Sequence, residues 1–198
     1  MLIILFALLG WVVGIVLNIV INRLPNKAPS KPKLRPFIVR VVAGLIFGLL
    51  CWKFGLGVQL YISLIYACLF IVIFTIDLEH RLVLNKITYP TMILAFALSF
   101  VLPYISPVKA LQGAGFGLLA IGLPFLMYPE GIGIGDVKLG ILIGLIIGYP
   151  LILWVLLLSV ISGGLVGTTL LSLKVKKRTD FIPFAPFLAT SAMLILFW

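Results

Sequence analysis

The sequence predicts an all-α, polytopic membrane protein with about eight transmembrane helices in a single domain, 1–198. The first observation is composition, since hydrophobic residues make up 63% of the chain and charged residues only 10%. The mean hydropathy of +1.32 exceeds what the core of a soluble protein can bury. The second observation is that apolar stretches recur along the chain, most of them close to the ~20 residues that cross a bilayer as a helix. We place these stretches at 2–22, 37–52, 58–76, 87–105, 109–128, 137–149, 151–173 and 182–198.

The sixth stretch, 137–149, is shorter than the ~17 residues that usually span a bilayer. Three alternatives stay open for its helix. It starts inside the glycine-rich segment before it, runs on through Tyr149 and Pro150, or is re-entrant.

The basic residues give an independent test of this topology. With eight spans and the N-terminus outside, thirteen of the 15 Lys and Arg residues fall on one side of the membrane. We expect that side to be cytoplasmic, because short cytoplasmic loops are enriched in basic residues. It includes segment 23–40, a short basic linker between the first two spans. The net charge of +10 is therefore explained by orientation and by contact with anionic lipid headgroups, and the lipid bilayer rather than nucleic acid is the expected partner.

The acidic residues all fall on the cytoplasmic side in this topology. Asp77 directly follows the apolar run "FIVIFTI" at the end of the third span, and Asp136 opens the sixth. Ionisable residues at membrane depth are costly and usually functional. Two carboxylates at the same depth can share a proton, so that the ionised one takes a proton from water while the neutral one donates to a carbonyl oxygen. This division of roles is the chemistry of an aspartic protease.

The segment "GIGIGDVKL" (131–139) places glycines directly before Asp136. Gly133 and Gly135 lack side chains, so the backbone there can approach another chain closely. Further along, glycine recurs at every fourth position, a spacing that lets helices pack closely, and we expect it to draw Asp136 towards the third span. These positions are Gly140, Gly144 and Gly148.

Two segments carry a resemblance to a known family. "IDLEHRLVLNKITYP" (76–90) and "EGIGIGDVKLG" (130–140) together resemble the type IV prepilin leader peptidases, polytopic GxGD-type aspartic proteases of the bacterial inner membrane. "GIVLNIVINRLP" (14–25) is similar to the first-span signature of that family, and "PFAPFLA" (183–189) to its last-span entry.

The resemblance implies that Asp77 and Asp136 are the catalytic dyad and that the two glycines before Asp136 are the motif glycines. It implies cleavage of the short basic leader of type IV prepilins or pseudopilins on the cytoplasmic side.

The expected site contains no metal and no cofactor, because one histidine and no C-x-x-C pair make no recognisable ligand set. A basic leader would meet Glu79 and Glu130 beside the dyad. Lys138 is either a further substrate contact or a lysine that snorkels to the membrane interface.

Segment 23–40 departs from the family pattern. Family members usually carry a cytoplasmic domain with two C-x-x-C pairs at this place, whereas this linker contains no cysteine. The N-methyltransferase activity that many members add is linked to that domain. We therefore carry over the peptidase and leave N-methylation of the product as an open question.

Two other functions compete with the peptidase. A proton- or cation-coupled transporter would use Asp77 and Asp136 as a relay, but both acids lie at one face and no internal repeat relates the two halves. A peptidase of the same catalytic class acting on archaeal preflagellins is the second alternative. The sequence leaves the oligomeric state open.

Overall fold

The structure, a computed structural model, is all-helical in the ranges that it describes, which are 1–25, 33–103, 105–128, 133–174 and 183–197. The helices are α1 (Leu2–Arg23), α2 (Arg35–Phe54), α3 (Val58–His80), α4 (Asn85–Leu98), α5 (Pro107–Met127), α6 (Ile134–Ile147), α7 (Leu151–Ser172) and α8 (Ala185–Leu196). This confirms the predicted all-α, multi-pass fold.

The helices differ in how well their length suits a membrane span. In the described ranges, five are long and apolar enough to cross a bilayer, namely α1, α2, α3, α5 and α7, each with 20–23 residues. α4 and α6 have 14 residues each and α8 has 12. The predicted number of eight spans is therefore approximate.

Two helix boundaries decide where the acidic residues lie. α3 continues beyond the predicted end of its span at position 76, so Asp77 belongs to its last turn. Arg81 ends this helix in the left-handed conformation, with φ of 52°. α6 begins at Ile134, inside the glycine-rich segment, as the first of the three alternatives expects, and Asp136 therefore lies in its first turn.

The chain groups into two compact units, Met1–Arg81 with Leu196–Trp198, and Leu82–Ile195. The single domain expected from the sequence stays a prediction. α2 begins at Arg35, so the last part of the predicted linker 23–40 is helical, while its residues 26–32 lie outside the described ranges.

In the first unit, α1 and α2 pack closely and both contact α3. A Cβ added to Gly14 would lie only 2.7 Å from the Cα of Arg40, so glycine is needed for this approach. Asn18, which is buried, donates from Nδ2 to the carbonyl oxygens of Gly14 at 2.7 Å and Pro36 at 3.2 Å. The start of α2 is thereby joined to the last turns of α1.

In the second unit, the glycines of α6 pack against α5. A Cβ on Gly144 would collide with the backbone oxygen of Gly113, and one on Gly117 with that of Gly140. The predicted close approach of helices along this glycine face is therefore present, but the helix that occupies it is α5, so the expectation that this face packs on the third span is wrong.

Gly144→Ala is expected to lower the free energy of unfolding by about 1–3 kcal/mol, because the new methyl group meets backbone atoms that cannot rotate away. Gly115→Ala, in α5, is the matched control, since a Cβ there meets nothing within 4 Å. Alanine should leave stability unchanged at Gly115 or raise it by ~0.5–1 kcal/mol. Thermal unfolding in detergent micelles checks this, and equal melting temperatures for the two variants would contradict the packing.

Candidate active site

Asp77 is a buried carboxylate in the last turn of α3, with only 5% of its surface exposed. The apolar residues before it build the helix, and its carbonyl oxygen accepts a hydrogen bond of 2.8 Å from the N–H of Arg81. The side chain thus lies at the end of a long apolar helix, which is the position that the sequence predicted for Asp77, and its catalytic role stays a prediction.

Glu79, in the same helical turn as Asp77, forms an ion pair with Arg35. The Nη1 of Arg35 donates to the Oε2 of Glu79 at 2.8 Å, and both side chains are about nine-tenths buried. The Nη2 of Arg35 donates to the Oδ1 of Asn22 at 2.5 Å. The Nε2 of His80 lies 3.9 Å from the same carboxylate oxygen of Glu79. The role of Glu79 as a substrate contact stays a prediction, and no local pattern in the sequence points to Arg35 or Asn22 as its neighbours.

Asp136 is equally buried, with 5% exposure, in the first turn of α6. Its N–H donates to the carbonyl oxygen of Gly133 at 2.9 Å, which fixes the start of the helix. The residue precedes the apolar stretch 137–149. Burial raises the pKa of Asp136 to about 6, while hydrogen bonds from the backbone of Gly133 and Ala185 lower it. The neutral form of this carboxyl is therefore favoured relative to an exposed aspartate.

The two predicted motif glycines have different surroundings. A Cβ on Gly135 would lie 2.9 Å from the Cβ and 3.1 Å from the Cγ2 of Val83, in the segment before α4. A Cβ on Gly133 would meet the Oδ2 of Asp136 at 3.7 Å, an ordinary contact. Of these two positions, only Gly135 lacks room for a side chain, and it lies directly before Asp136.

Lys138 joins α6 to α4. Its Nζ donates to the Oδ1 of Asn85 at 3.0 Å and lies 5.2 Å from the centroid of the Tyr89 ring. The substrate-contact role of Lys138 stays a prediction. Sequence reasoning did not connect Lys138 with Asn85 or Tyr89, although the i, i+4 spacing of these two polar residues at the start of α4 places them on one helix face.

The remaining predicted site features stay predictions. Asp77 belongs to the first unit and Asp136 to the second, so their pairing as a dyad stays a prediction. Glu130 lies outside the described residues. In the part of the chain that the structure describes, no three His, Cys, Asp or Glu residues are grouped as metal ligands. The metal-free site also stays a prediction.

Comparison with known families decides the class of protein. Residues 64–168, more than half of the chain and including both buried aspartates, match the type IV leader peptidase family. The chain belongs to this family. The resemblance found in the sequence motifs is thereby confirmed.

Several curated relatives of this family member are named prepilin leader peptidase/N-methyltransferase. The one from Xanthomonas campestris pv. campestris is 32% identical over 152 residues, which cover 74% of this chain and 53% of that protein. The Legionella pneumophila protein is also 32% identical, with the same coverage. The Bacillus subtilis protein is 28% identical over 143 residues, 72% of this chain and 57% of that protein. The chain spans about half the length of these relatives, and no solved structure matches it.

Proposed function

We propose that this protein is a GxGD-type aspartic endopeptidase that removes the short basic leader from type IV prepilins or pseudopilins at the cytoplasmic face of the bacterial inner membrane. The observation that carries the proposal is the pair of carboxylates, Asp77 and Asp136, each 5% exposed at the end of an apolar helix and each inside the family segment 64–168. Burying two carboxylates in this way costs free energy, so such residues are usually retained for a function.

In the proposed reaction, the ionised carboxylate accepts a proton from water, and the water oxygen attacks the carbonyl carbon of the scissile peptide bond. The neutral carboxyl donates its proton to the carbonyl oxygen. Collapse of the tetrahedral diol breaks the C–N bond as the amine nitrogen takes up a proton. The products are a leader that ends in a carboxylate and a pilin with a new N-terminal amine. Burial of Asp136, which is 5% exposed, suits the donor role because it favours the neutral form of the carboxyl.

The substrate proposal follows from charge. The chain carries 15 basic and five acidic residues, so a basic leader is attracted to few places on it. Glu130 directly precedes the glycine-rich segment and is proposed to contact the leader. Lys138 is proposed to contact the substrate backbone or the lipid headgroups rather than the basic leader. N-methylation of the product is not part of the proposal.

The experiment is cleavage of a type IV prepilin in membranes that contain either the wild type or the double variant Asp77→Asn/Asp136→Asn, with the new N-terminus located by mass spectrometry. Cleavage by the wild type alone, at the junction of leader and mature pilin, is the expected result. In parallel, proton and cation flux is measured in liposomes that contain the wild type. Flux that depends on the two aspartates, without cleavage, would replace the peptidase by the transporter.

A further inference from the structure

Arg35 connects three helices of the first unit at one end. It is the first residue of α2, and its guanidinium binds Glu79 in the last turn of α3 and Asn22 near the end of α1. The donor–acceptor distances of these hydrogen bonds are 2.8 Å to Glu79 and 2.5 Å to Asn22. A planar guanidinium with fixed donor directions holds two such acceptors in a defined geometry, which a lysine cannot reproduce.

The burial of this ion pair makes it structurally significant. The side chains of Arg35 and Glu79 are 9% and 10% exposed, so neither charge is well screened by water. A salt bridge at an exposed surface contributes little, whereas removal of one partner from a buried pair leaves the other charge without compensation. The pair therefore strongly opposes any movement of the end of α3 away from α2.

The end of α3 is also where Asp77 lies. Asp77 and Glu79 belong to the same helical turn, and the N–H of Arg81 closes that turn onto the carbonyl oxygen of Asp77. Any movement of the backbone of this turn would therefore carry Glu79 and the carboxylate of Asp77 together. The rate of an enzymatic reaction falls steeply when a catalytic group is misplaced by about an ångström.

We propose that Arg35 and Glu79 are positioning residues for cleavage, which fix the last turn of α3 and so the direction of the Asp77 carboxylate. This inference rests on the proposed function as a leader peptidase. It assigns Glu79 to Arg35 rather than to the leader, because a basic group of the substrate would have to displace a buried arginine held at 2.8 Å. Arg35 is therefore part of the active-site framework and not only one of the basic residues of linker 23–40.

The two roles of Glu79 predict different kinetics. A positioning residue acts on kcat and does so for every leader, whereas a substrate contact acts on KM and only for basic leaders. The test compares Arg35→Gln and Glu79→Gln with the wild type, using a prepilin with its natural Lys-rich leader and one in which the leader lysines are Gln. We expect kcat to fall about 10–100-fold in both variants, by the same factor for the two leaders, with little change in KM.

Three further variants make the test decisive. Lys33→Gln removes an exposed positive charge two positions from Arg35 and should leave both constants unchanged. Glu130→Gln should raise KM for the basic leader alone. Arg35→Gln/Glu79→Gln removes both charges of the ion pair together, so it should recover part of the lost kcat and remain folded even if a single variant does not.

Each outcome has one meaning. Wild-type kcat in Arg35→Gln, or in the double variant, would overturn the positioning role. An effect of Glu79→Gln that is confined to KM and to the basic leader would also overturn it and make Glu79 a substrate contact. If the wild type cleaves neither prepilin, the proposed function fails and the positioning role fails with it, a result that differs from failure of the variants alone.

Discussion

Asp77→Asn and Asp136→Asn are each expected to lower kcat for leader cleavage by about 10²–10⁴-fold, the usual contribution of a positioned acid or base. Asparagine has nearly the same shape as aspartate, but its amide neither takes a proton from water nor donates an acidic proton. The loss should therefore appear with little change in folding. The same loss from either position is the signature of two groups that act as one unit.

Asp180→Asn is the matched control for both variants. It makes the same chemical change at an acidic residue outside the described ranges that the proposed mechanism does not use. Cleavage of a prepilin in membranes should proceed at the wild-type rate in this variant, at equal expression. Retained activity in Asp77→Asn or Asp136→Asn would remove that aspartate from the mechanism.

Gly135→Ala is expected to reduce cleavage about 10–100-fold. The new methyl group would lie 2.9 Å from the Cβ of Val83, closer than two such atoms can approach, so the start of α6 and the segment that carries Val83 must move apart. The next residue is Asp136, and its carboxylate moves with the helix. Gly133→Ala is the control and should retain most activity, because its methyl group meets only an ordinary contact at 3.7 Å.

A compensating substitution tests the cause of that loss. Val83→Gly removes both side-chain atoms that a methyl group on Gly135 would meet. The double variant Gly135→Ala/Val83→Gly should therefore recover activity relative to Gly135→Ala, measured as kcat for the same prepilin. If Val83→Gly recovers nothing, or if alanine at Gly133 and Gly135 costs the same activity, the requirement for glycine has a cause other than this contact.

The all-helical fold could be predicted from the sequence because apolar runs of this length have few other structures available in a bilayer. The ends of the helices were harder to place. Asp77 interrupts the apolar run of α3, but the helix continues for three more residues, since backbone hydrogen bonding does not depend on hydropathy. At α6, Ile134 lies between two glycines, and the helix begins there rather than after Asp136.

Contacts between distant residues were not predictable from local patterns. Arg35 and Glu79 are 44 positions apart, and Asn85 and Lys138 are 53 apart. In the sequence, Arg35 resembles the other basic residues of the linker, because only tertiary packing gives it a buried partner.

The sequence did contain a signal for the contact between α5 and α6. Gly113 and Gly117 repeat the four-residue spacing of the glycines in α6, and comparing the two helices would have paired them.

The hydrogen bond between Asn22 and Arg35 also makes this place in the chain a natural insertion point. These residues are 13 positions apart in the sequence, but only 2.5 Å separates their hydrogen-bonded atoms. The chain segment between them therefore begins and ends at the same place in the structure. The entropy of closing such a loop grows only logarithmically, at about 0.6 kcal/mol for each doubling in length. Twelve Gly and Ser residues inserted after Lys27 should therefore leave the melting temperature and prepilin cleavage almost unchanged. A folded module inserted at this point should likewise leave the contacts of Arg35 with α1 and α3 unchanged, since its two ends would meet at the same place in the structure.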